Sequence, residues 1–359
     1  KGGIAIRLIN LAKIVTGRTP GGLAQTNILA NALFGAISGS GTAAASAMGS
    51  IIGPIEKDEG YDPNFSAAAN IATSPTGLLI PPSNVMITFS LVSGGTSVAA
   101  LFMAGYIPGA LWALACMLVV YIYAKKAGYR SQTKLTGKEK FNAFIQALPC
   151  LLLIIIVIGG IIAGVFTATE GSVVAVVYSL LLSIYGYKSM KWKDLPEIFR
   201  SSAEMTGIII FLIGVSSIMS WVMAFTNIPT MVSNGLLSIS SNKYVILLMI
   251  NIILLVVGTF MDMTPATLIF TPIFLPVCTA LGMNTIHFGI MLIFNLCIGT
   301  ITPPVGTTLF VGVKVGGVKI ETVFKHLLPY FFAIIVVLML VTYIPQLSLW
   351  LPGLMGYVS

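Results

Sequence analysis

Apolar residues run along this chain in long blocks, and the few interruptions organise it. Residues 288–299 and 309–315 are apolar, and between them residues 300–308 read TITPPVGTT. A Pro-Pro pair removes two backbone donors, and Gly299 and Gly306 lower helicity further, so the pattern predicts one hydrophobic segment split into two half-helices. In lipid such a break is tolerated only where protein or a polar cavity receives the freed carbonyls and amides, which makes it a candidate binding site. The break occurs twice: Pro81-Pro82 in TGLLIPPSN matches Pro303-Pro304, since 303 − 81 = 222. The same gapless shift lays Thr42 on Thr264, Pro54 on Pro276, Gly77 on Gly299, Gly94-Gly95 on Gly316-Gly317, Phe102 on Phe324 and Tyr121-Ile122 on Tyr343-Ile344. Residues 22–122 and 244–344 therefore read as two copies of one structural repeat.

Taken in order, the pattern predicts five regions. Residues 1–21 form an interfacial arm helix, with Ile4, Leu8, Leu11 and Val15 on one face and Arg7, Asn10 and Arg18 elsewhere. Residues 22–124 hold the first repeat. It opens with a hairpin interrupted at Ser38-Gly39-Ser40-Gly41-Thr42, whose sides of about 12–16 residues are too short to cross a ~30 Å hydrocarbon core and so read as re-entrant. A charged loop (56–62), a broken helix (65–93) and a span (98–123) follow. Residues 125–243 supply a basic loop with Lys125, Lys126, Arg130, Lys134, Lys138 and Lys140, cytoplasmic by the positive-inside rule, then scaffold spans at 141–165 and 172–187. A second basic cluster, Lys188, Lys191, Lys193 and Arg200, marks the return; residues 192–202 read as a second interfacial arm, 204–224 as a span, and 226–242 as a polar stretch without Lys or Arg.

Residues 244–349 repeat the plan: a hairpin (244–259 and 265–280) around FMDMT, a broken helix (288–315), Lys314, Lys319 and Lys325 on the inner side, and a final span. Residues 350–359 are a C-terminal tail on the periplasmic side. Five crossings separate the two hairpins, and an odd number turns the second copy over, as in the inverted repeats of secondary transporters. Nothing before the first repeat corresponds to the spans that precede the second, so an N-terminal portion of two or three spans is expected outside this numbering.

Composition gives the fold class. Of 359 residues 57% are hydrophobic and 8% charged, with mean hydropathy +0.98, against about 25% charged residues in a soluble globular chain. The expectation is an all-α polytopic membrane protein; strands alternating over about 10 residues, as in an outer-membrane barrel, are absent from the pattern. A net charge of +8 lies in short loops beside apolar blocks, which is topology rather than nucleic-acid binding. Cys116, Cys150, Cys278 and Cys297 lie inside apolar segments without metal spacing and read as small core residues.

Candidate chemistry gathers at the tips and breaks. Half-helix C-termini present carbonyls suited to a small cation and half-helix N-termini present amides suited to an anion, so two pseudo-symmetric cation sites with an anionic substrate between them are expected. A lone Gly or Ser in an apolar helix is a packing residue; a tip and a break repeated together point to binding. Asp262, of the chain's eleven acids the one placed near mid-bilayer, reads as a cation ligand in preference to a helix cap. Glu170 follows Thr167 at capping-box spacing and reads as structural, Glu204 as the acid opening a helix, and His287 and His326 as segment-end residues without a carboxylate in sequence. Trp221 and Trp350 fall near the membrane interfaces. No nucleophile–base pair, no H-E-x-x-H and no GxxxxGK[ST] occurs, which argues against an intramembrane enzyme or an ATP-driven pump within this chain, and a channel does not explain an inverted pair of broken helices.

The stretches FGAISGSGTAAASAMGSI, TGLLIPPSN, GVFTATEGSVVAV, GTFMDMTPAT and GTITPPVGTTLFVG resemble the large membrane subunit of tripartite ATP-independent periplasmic (TRAP) transporters, and among these the sialic acid (N-acetylneuraminate) transporters most. That resemblance covers essentially the whole chain. It implies a sodium-coupled, elevator-type importer of an organic acid in the bacterial inner membrane, working with a small membrane subunit and a periplasmic binding protein; another sodium- or proton-coupled carrier of dicarboxylates or small anions is the alternative. Carried onto this sequence, the first sodium site uses Ser38, Gly41, Gly77, Ile80 and Pro82, and the second Asp262, Thr264, Gly299, Thr302 and Pro304. Substrate contacts fall to Ser40, Ser83, Asn84 and Thr307.

Overall fold

The computed structural model describes residues 3–129 and 136–357, and every regular element among them is helical. The chain runs through α1 (Ile4–Thr16), α2 (Gly22–Ser38), α3 (Gly41–Asp58), α4 (Pro63–Thr73), α5 (Thr76–Leu79), α6 (Asn84–Val92), α7 (Val98–Ala127) and α8 (Gly137–Ile162). Then come α9 (Ala168–Leu181), α10 (Leu195–Phe225), α11 (Ile228–Ile239), α12 (Lys243–Gly258) and α13 (Met263–Ala280). The last four are α14 (Thr285–Thr300), α15 (Thr307–Gly316), α16 (Ile320–Tyr343) and α17 (Gln346–Leu354). Among the described residues six helices are long and apolar enough to cross a bilayer, or seven if Pro63–Leu79 and Asn84–Val92, bent by 47° at the first proline pair, count as one span. The chain is thus a multi-pass membrane protein.

Helix starts recur at the sequence offset. Residue 41 opens α3 and residue 263 opens α13; 63 and 285 open α4 and α14; 98 and 320 open α7 and α16; each pair differs by 222. The caps recur with them, because Asp62 and Asn284 each accept a hydrogen bond from the amide two residues on, at 2.8 Å in both cases. Both broken segments part at the prolines: α5 ends at Leu79 and α14 at Thr300, and helix resumes at Asn84 and Thr307. The halves before the breaks are buried all round, over Phe65–Thr73 in α4 and Ile286–Thr300 in α14, their few polar residues included.

Two compact units emerge. The first comprises Lys1–Pro82, Gly109–Asp194 and Thr308–Ile335; the second comprises Ser83–Pro108, Leu195–Thr307 and Val336–Ser359. Within the first, α1 packs on α2 and α8, and Ile9, Ala12, Ala30, Met48 and Ile52 form one core cluster. Within the second, α13 packs against α6, α10, α11 and α14.

Several sequence expectations are corrected. Residues 192–202 and 204–224 do not separate into an arm and a span: one helix, α10, runs through, preceded by a 3₁₀ turn at Trp192–Asp194. Nothing at the junction breaks a helix, and the Arg200–Glu204 ion pair at 2.9 Å ties the two sides at i,i+4 spacing. Glu204 is accordingly mid-helix and not a helix opener. The polar stretch 226–242 contains α11, and the C-terminal tail begins inside α17. The buried face of α1 is Leu8, Ile9, Ala12 and Thr16, while Val15 is exposed. Arg130 and Lys134 of the basic loop lie outside the described residues. The four cysteines are buried and none forms a disulfide.

The Thr167–Glu170 capping box is present: the Thr167 amide donates to Glu170 Oε2 at 2.8 Å and the Glu170 amide to Thr167 Oγ1 at 3.2 Å. A second box, Thr136 with Glu139, opens α8. Replacing Thr167 with Ala is expected to lower stability by about 1 kcal/mol, whereas Glu170→Gln, which preserves the box, stays within a few tenths. The melting temperature of the purified protein in detergent checks both.

Candidate functional site

Each hairpin tip is built from a short helix end meeting a break. In the first, α2 ends at Ser38 and Gly39 adopts φ 58°, a left-handed turn that glycine enters without penalty; its amide donates to the Gly35 carbonyl at 2.8 Å. Ser40 then caps α3, accepting from the Ala43 amide at 3.3 Å and bonding Thr42 Oγ1 at 3.1 Å. In the second tip, Asp262 holds the equivalent cap position of α13, since 262 − 40 = 222, but its side chain does not cap the helix. Its Oδ1 accepts instead from the Thr307 hydroxyl at 3.3 Å. Asp262 is thereby tied to the far side of the second break.

The tips are locked to the breaks by glycine on glycine. A Cβ on Gly35 or on Gly77 would collide with the other's Cα, so the end of α2 and the start of α5 touch backbone to backbone. In the second unit a Cβ on Gly299 would sit 2.6 Å from the Gly258 Cα, giving the same contact between α12 and α14. The Val305 amide donates to the Thr259 carbonyl at 3.1 Å, stitching the second break directly to its tip.

All five residues of the first sodium set lie in the first unit, and all five of the second set in the second unit. Gly41 stands beside Leu78 and Pro75, joining tip to break; the Ser38 hydroxyl approaches the Ser40 carbonyl at 3.5 Å, and the Ile80 side chain packs over Gly109. The Thr302 hydroxyl donates to the Ile298 carbonyl at 2.6 Å and its amide to the Gly299 carbonyl at 3.0 Å, which leaves the hydroxyl oxygen's lone pairs available. Carbonyls, hydroxyls and one carboxylate make an all-oxygen donor set, the kind hard cations take. Of the substrate candidates, Ser40 belongs to the first unit and Ser83, Asn84 and Thr307 to the second, where Asn84 and Thr307 open α6 and α15. Those two helix starts present amides and the positive end of the dipole.

Polar residues absent from the sequence reading complete the picture. Thr308, buried, places its Oγ1 within 3.3 Å of a Cβ built on Gly41. Asn31 Nδ2 donates to Asn27 Oδ1 at 2.7 Å, Asn70 Oδ1 at 3.1 Å and Thr73 Oγ1 at 3.2 Å. In the second unit Asn295 Nδ2 donates to Asn251 Oδ1 at 2.8 Å, and Asn251 Nδ2 to Thr342 Oγ1 at 3.2 Å. Thr73 and Asn295 are equivalent at the 222 offset, so each pre-break helix is pinned to its hairpin by a buried amide. Buried Asn in an apolar helix was the available signal. His326 Nε2 lies 3.4 Å from Asp62 Oδ2, a carboxylate partner that sequence proximity hid, and His287 Nε2 lies 3.0 Å from the Val341 carbonyl.

A multi-pass helical chain with two tip-and-break constellations, bearing oxygen donors where helices are interrupted, has the architecture of a membrane transport protein. The family model described as "Tripartite ATP-independent periplasmic transporter, DctM component" matches residues 1–347, and the chain belongs to that family. It is 54% identical over 353 residues to the uncharacterized protein YgiK of Salmonella typhimurium, covering 98% of this chain and 81% of that one. It is 36% identical to the sialic acid TRAP transporter large permease protein SiaM of Vibrio cholerae, over 99% of this chain and 83% of that one. With the C4-dicarboxylate TRAP transporter large permease protein DctM of Rhodobacter capsulatus it shares 35% identity, over 99% and 84%.

Because the glycine contacts leave no room for a methyl group, Gly77→Ala and Gly299→Ala are each expected to destabilise the protein by about 1–3 kcal/mol. Gly214→Ala, where a Cβ meets nothing within 4 Å, is expected to be neutral or stabilising by about 0.5–1 kcal/mol. Thermal unfolding of the three variants side by side separates these outcomes.

Proposed function

We propose that the chain is the sodium-coupled membrane subunit of a TRAP transporter that imports an organic acid across the bacterial inner membrane. A periplasmic binding protein delivers the acid and a small membrane subunit completes the scaffold; the family's own description as tripartite and periplasmic supports both partners. The single observation that carries the reading is the pair of tip-to-break constellations, in which Gly77 and Gly299, equivalent at the 222 offset, each press on a glycine of the preceding hairpin arm.

On this reading α2–α3 and α12–α13 are re-entrant hairpins and the two repeats are inverted, with the C-terminus periplasmic. Ser38, Gly41, Gly77, Ile80 and Pro82 hold one sodium ion, largely through carbonyls, and Asp262, Thr264, Gly299, Thr302 and Pro304 hold the other. Bound sodium draws each tip and break together and so fixes the amides at the starts of α6 and α15 toward the substrate carboxylate, with Ser40, Ser83, Asn84 and Thr307 as contacts. Tips and breaks then move as one block in an elevator stroke. Sialic acid is the first substrate to try. C4-dicarboxylates are the second reading, since the relatives named for these two substrates are 36% and 35% identical to the chain.

Uptake into proteoliposomes, with and without a candidate binding protein and across a panel of sugar acids and dicarboxylates, tests the reading; uptake that ignores sodium throughout overturns it. Asp262→Ala is expected to abolish sodium-dependent uptake while leaving membrane insertion intact, and unchanged sodium dependence would refute the second site. Thr42→Val and Thr264→Val are expected to weaken apparent sodium affinity to similar extents; an effect from only one breaks the pseudo-symmetry.

A further inference from the structure

One acid is buried where no feature of the proposed sodium sites requires it. Glu56, in the last turn of α3, is fully buried, and among the described residues neither carboxylate oxygen makes a well-formed hydrogen bond, the Ser66 hydroxyl being the one donor whose influence reaches it. It faces a cavity of about 250 Å³ lined also by Asn27 of α2, Ser66 and Asn70 of α4, and Gly312 of α15, all within the first unit. Asn27 Nδ2 and Ser66 Oγ likewise make no well-formed hydrogen bond among the described residues, so polar atoms of three side chains line one space. A cavity of that size admits several water molecules at about 30 Å³ each, and polar lining is what hydrates a cavity. The position equivalent to Glu56 at the 222 offset is Cys278, so this acid belongs to neither half of the paired constellation.

An isolated carboxylate in such surroundings needs a paired cation or a proton. Among the described residues no cation is paired with it. α2, α4 and the rest of the cavity wall from α15 contribute no titratable side chain to the space: α2 and α4 contain none, and Lys314, the one such residue of α15, is exposed. On its own element Lys57 lines the cavity but is itself exposed, and Asp58 and Glu59 add negative charge; Tyr61 and, from α16, Tyr330 feel its charge, and Arg7 and Lys13 are the charged residues of α1, which also packs on α3.

We propose that Glu56 is a proton-binding site, a carboxyl group held neutral in the folded protein that exchanges its proton with water through the Asn27–Ser66–Asn70 cavity. Glu56 stands in the last turn of α3, outside the apolar spans, and burial, opposed in part by the Ser66 hydroxyl and reinforced by the charge of Glu59, pushes its carboxyl up to about 8 from 4.5. The reaction is a simple transfer: the proton leaves to a cavity water and the carboxylate remains, or returns from hydronium to restore the acid. The inference stands apart from the sodium reading and survives its failure.

Infrared titration of the purified protein tests it. The wild type is expected to show a protonated-carboxyl C=O band at neutral pH that shifts in D₂O and fades with a midpoint near 8, whereas Glu56→Gln lacks that component and Glu59→Gln, at an exposed acid, keeps it. Should the glutamine variant fail to fold, Glu56→Met removes the same carboxyl at similar volume. Melting temperature gives a second readout. From pH 4.5 to about 8 the folded state holds a proton that the unfolded chain has lost, so wild-type stability falls as pH rises through that window and levels off above it. Glu56→Gln is expected to escape this fall. A neutral-pH spectrum identical in wild type and both Glu56 variants overturns the proposal, as does loss of the band at constant pH when sodium replaces choline, which would make the cavity a metal-cation site.

Discussion

Everything in this molecule depends on what lipid does to an interrupted helix. A proline pair frees carbonyls and amides that water would satisfy in a soluble protein, and the bilayer core offers no such partner. The chain brings a hairpin tip against each break, and in the second the Val305 amide donates to the Thr259 carbonyl of the tip. Glycine makes that approach possible, because only a residue without Cβ lets the end of α2 touch the start of α5, and α12 touch α14, backbone to backbone. Buried amides then fix the geometry: Asn31 reaches Thr73 in the first unit and Asn295 reaches Asn251 in the second. These buried hydrogen bonds, made where the dielectric is low, hold each pre-break helix against its hairpin.

From that constraint function follows by chemistry. An interrupted helix shows carbonyls at one end and amides at the other, the first suited to a cation and the second to a carboxylate. Membership in the tripartite transporter family gives this backbone a purpose, and the proposed sodium and substrate positions assign its two ends to the two cargoes. Glu56 adds a different device, a single carboxyl facing a polar-lined cavity and lacking a counterpart in the second repeat.

Much of the fold was legible in the sequence because prolines and glycines are strong local signals. Pro81-Pro82 and Pro303-Pro304 announced both breaks, the 222 offset announced a repeat whose helix starts recur at that spacing, and T-x-x-E announced the cap at Thr167. Weaker local signals misled. The arm and span within residues 192–224 were separated by a change in polarity, yet polarity does not end a helix without a breaker, and the Arg200–Glu204 pair favours continuation. Helices α11 and α17 were missed because a short polar or terminal stretch gives no apolar period long enough to detect.

The candidate site was legible by residue type but not by partner. Sequence marked Gly77 and Gly299 as special; that Gly35 and Gly258 are what they press against depends on packing over long separations. Glu56 was hidden by its neighbours, since one buried acid in the run EKDE looks like the rest of an exposed charged loop. Equilibrium binding of radioactive sodium to the purified protein, counted per chain against lithium and potassium competitors, probes the paired tips and breaks most directly. Two saturable sodium ions per chain are expected; one or none would contradict a site at each break.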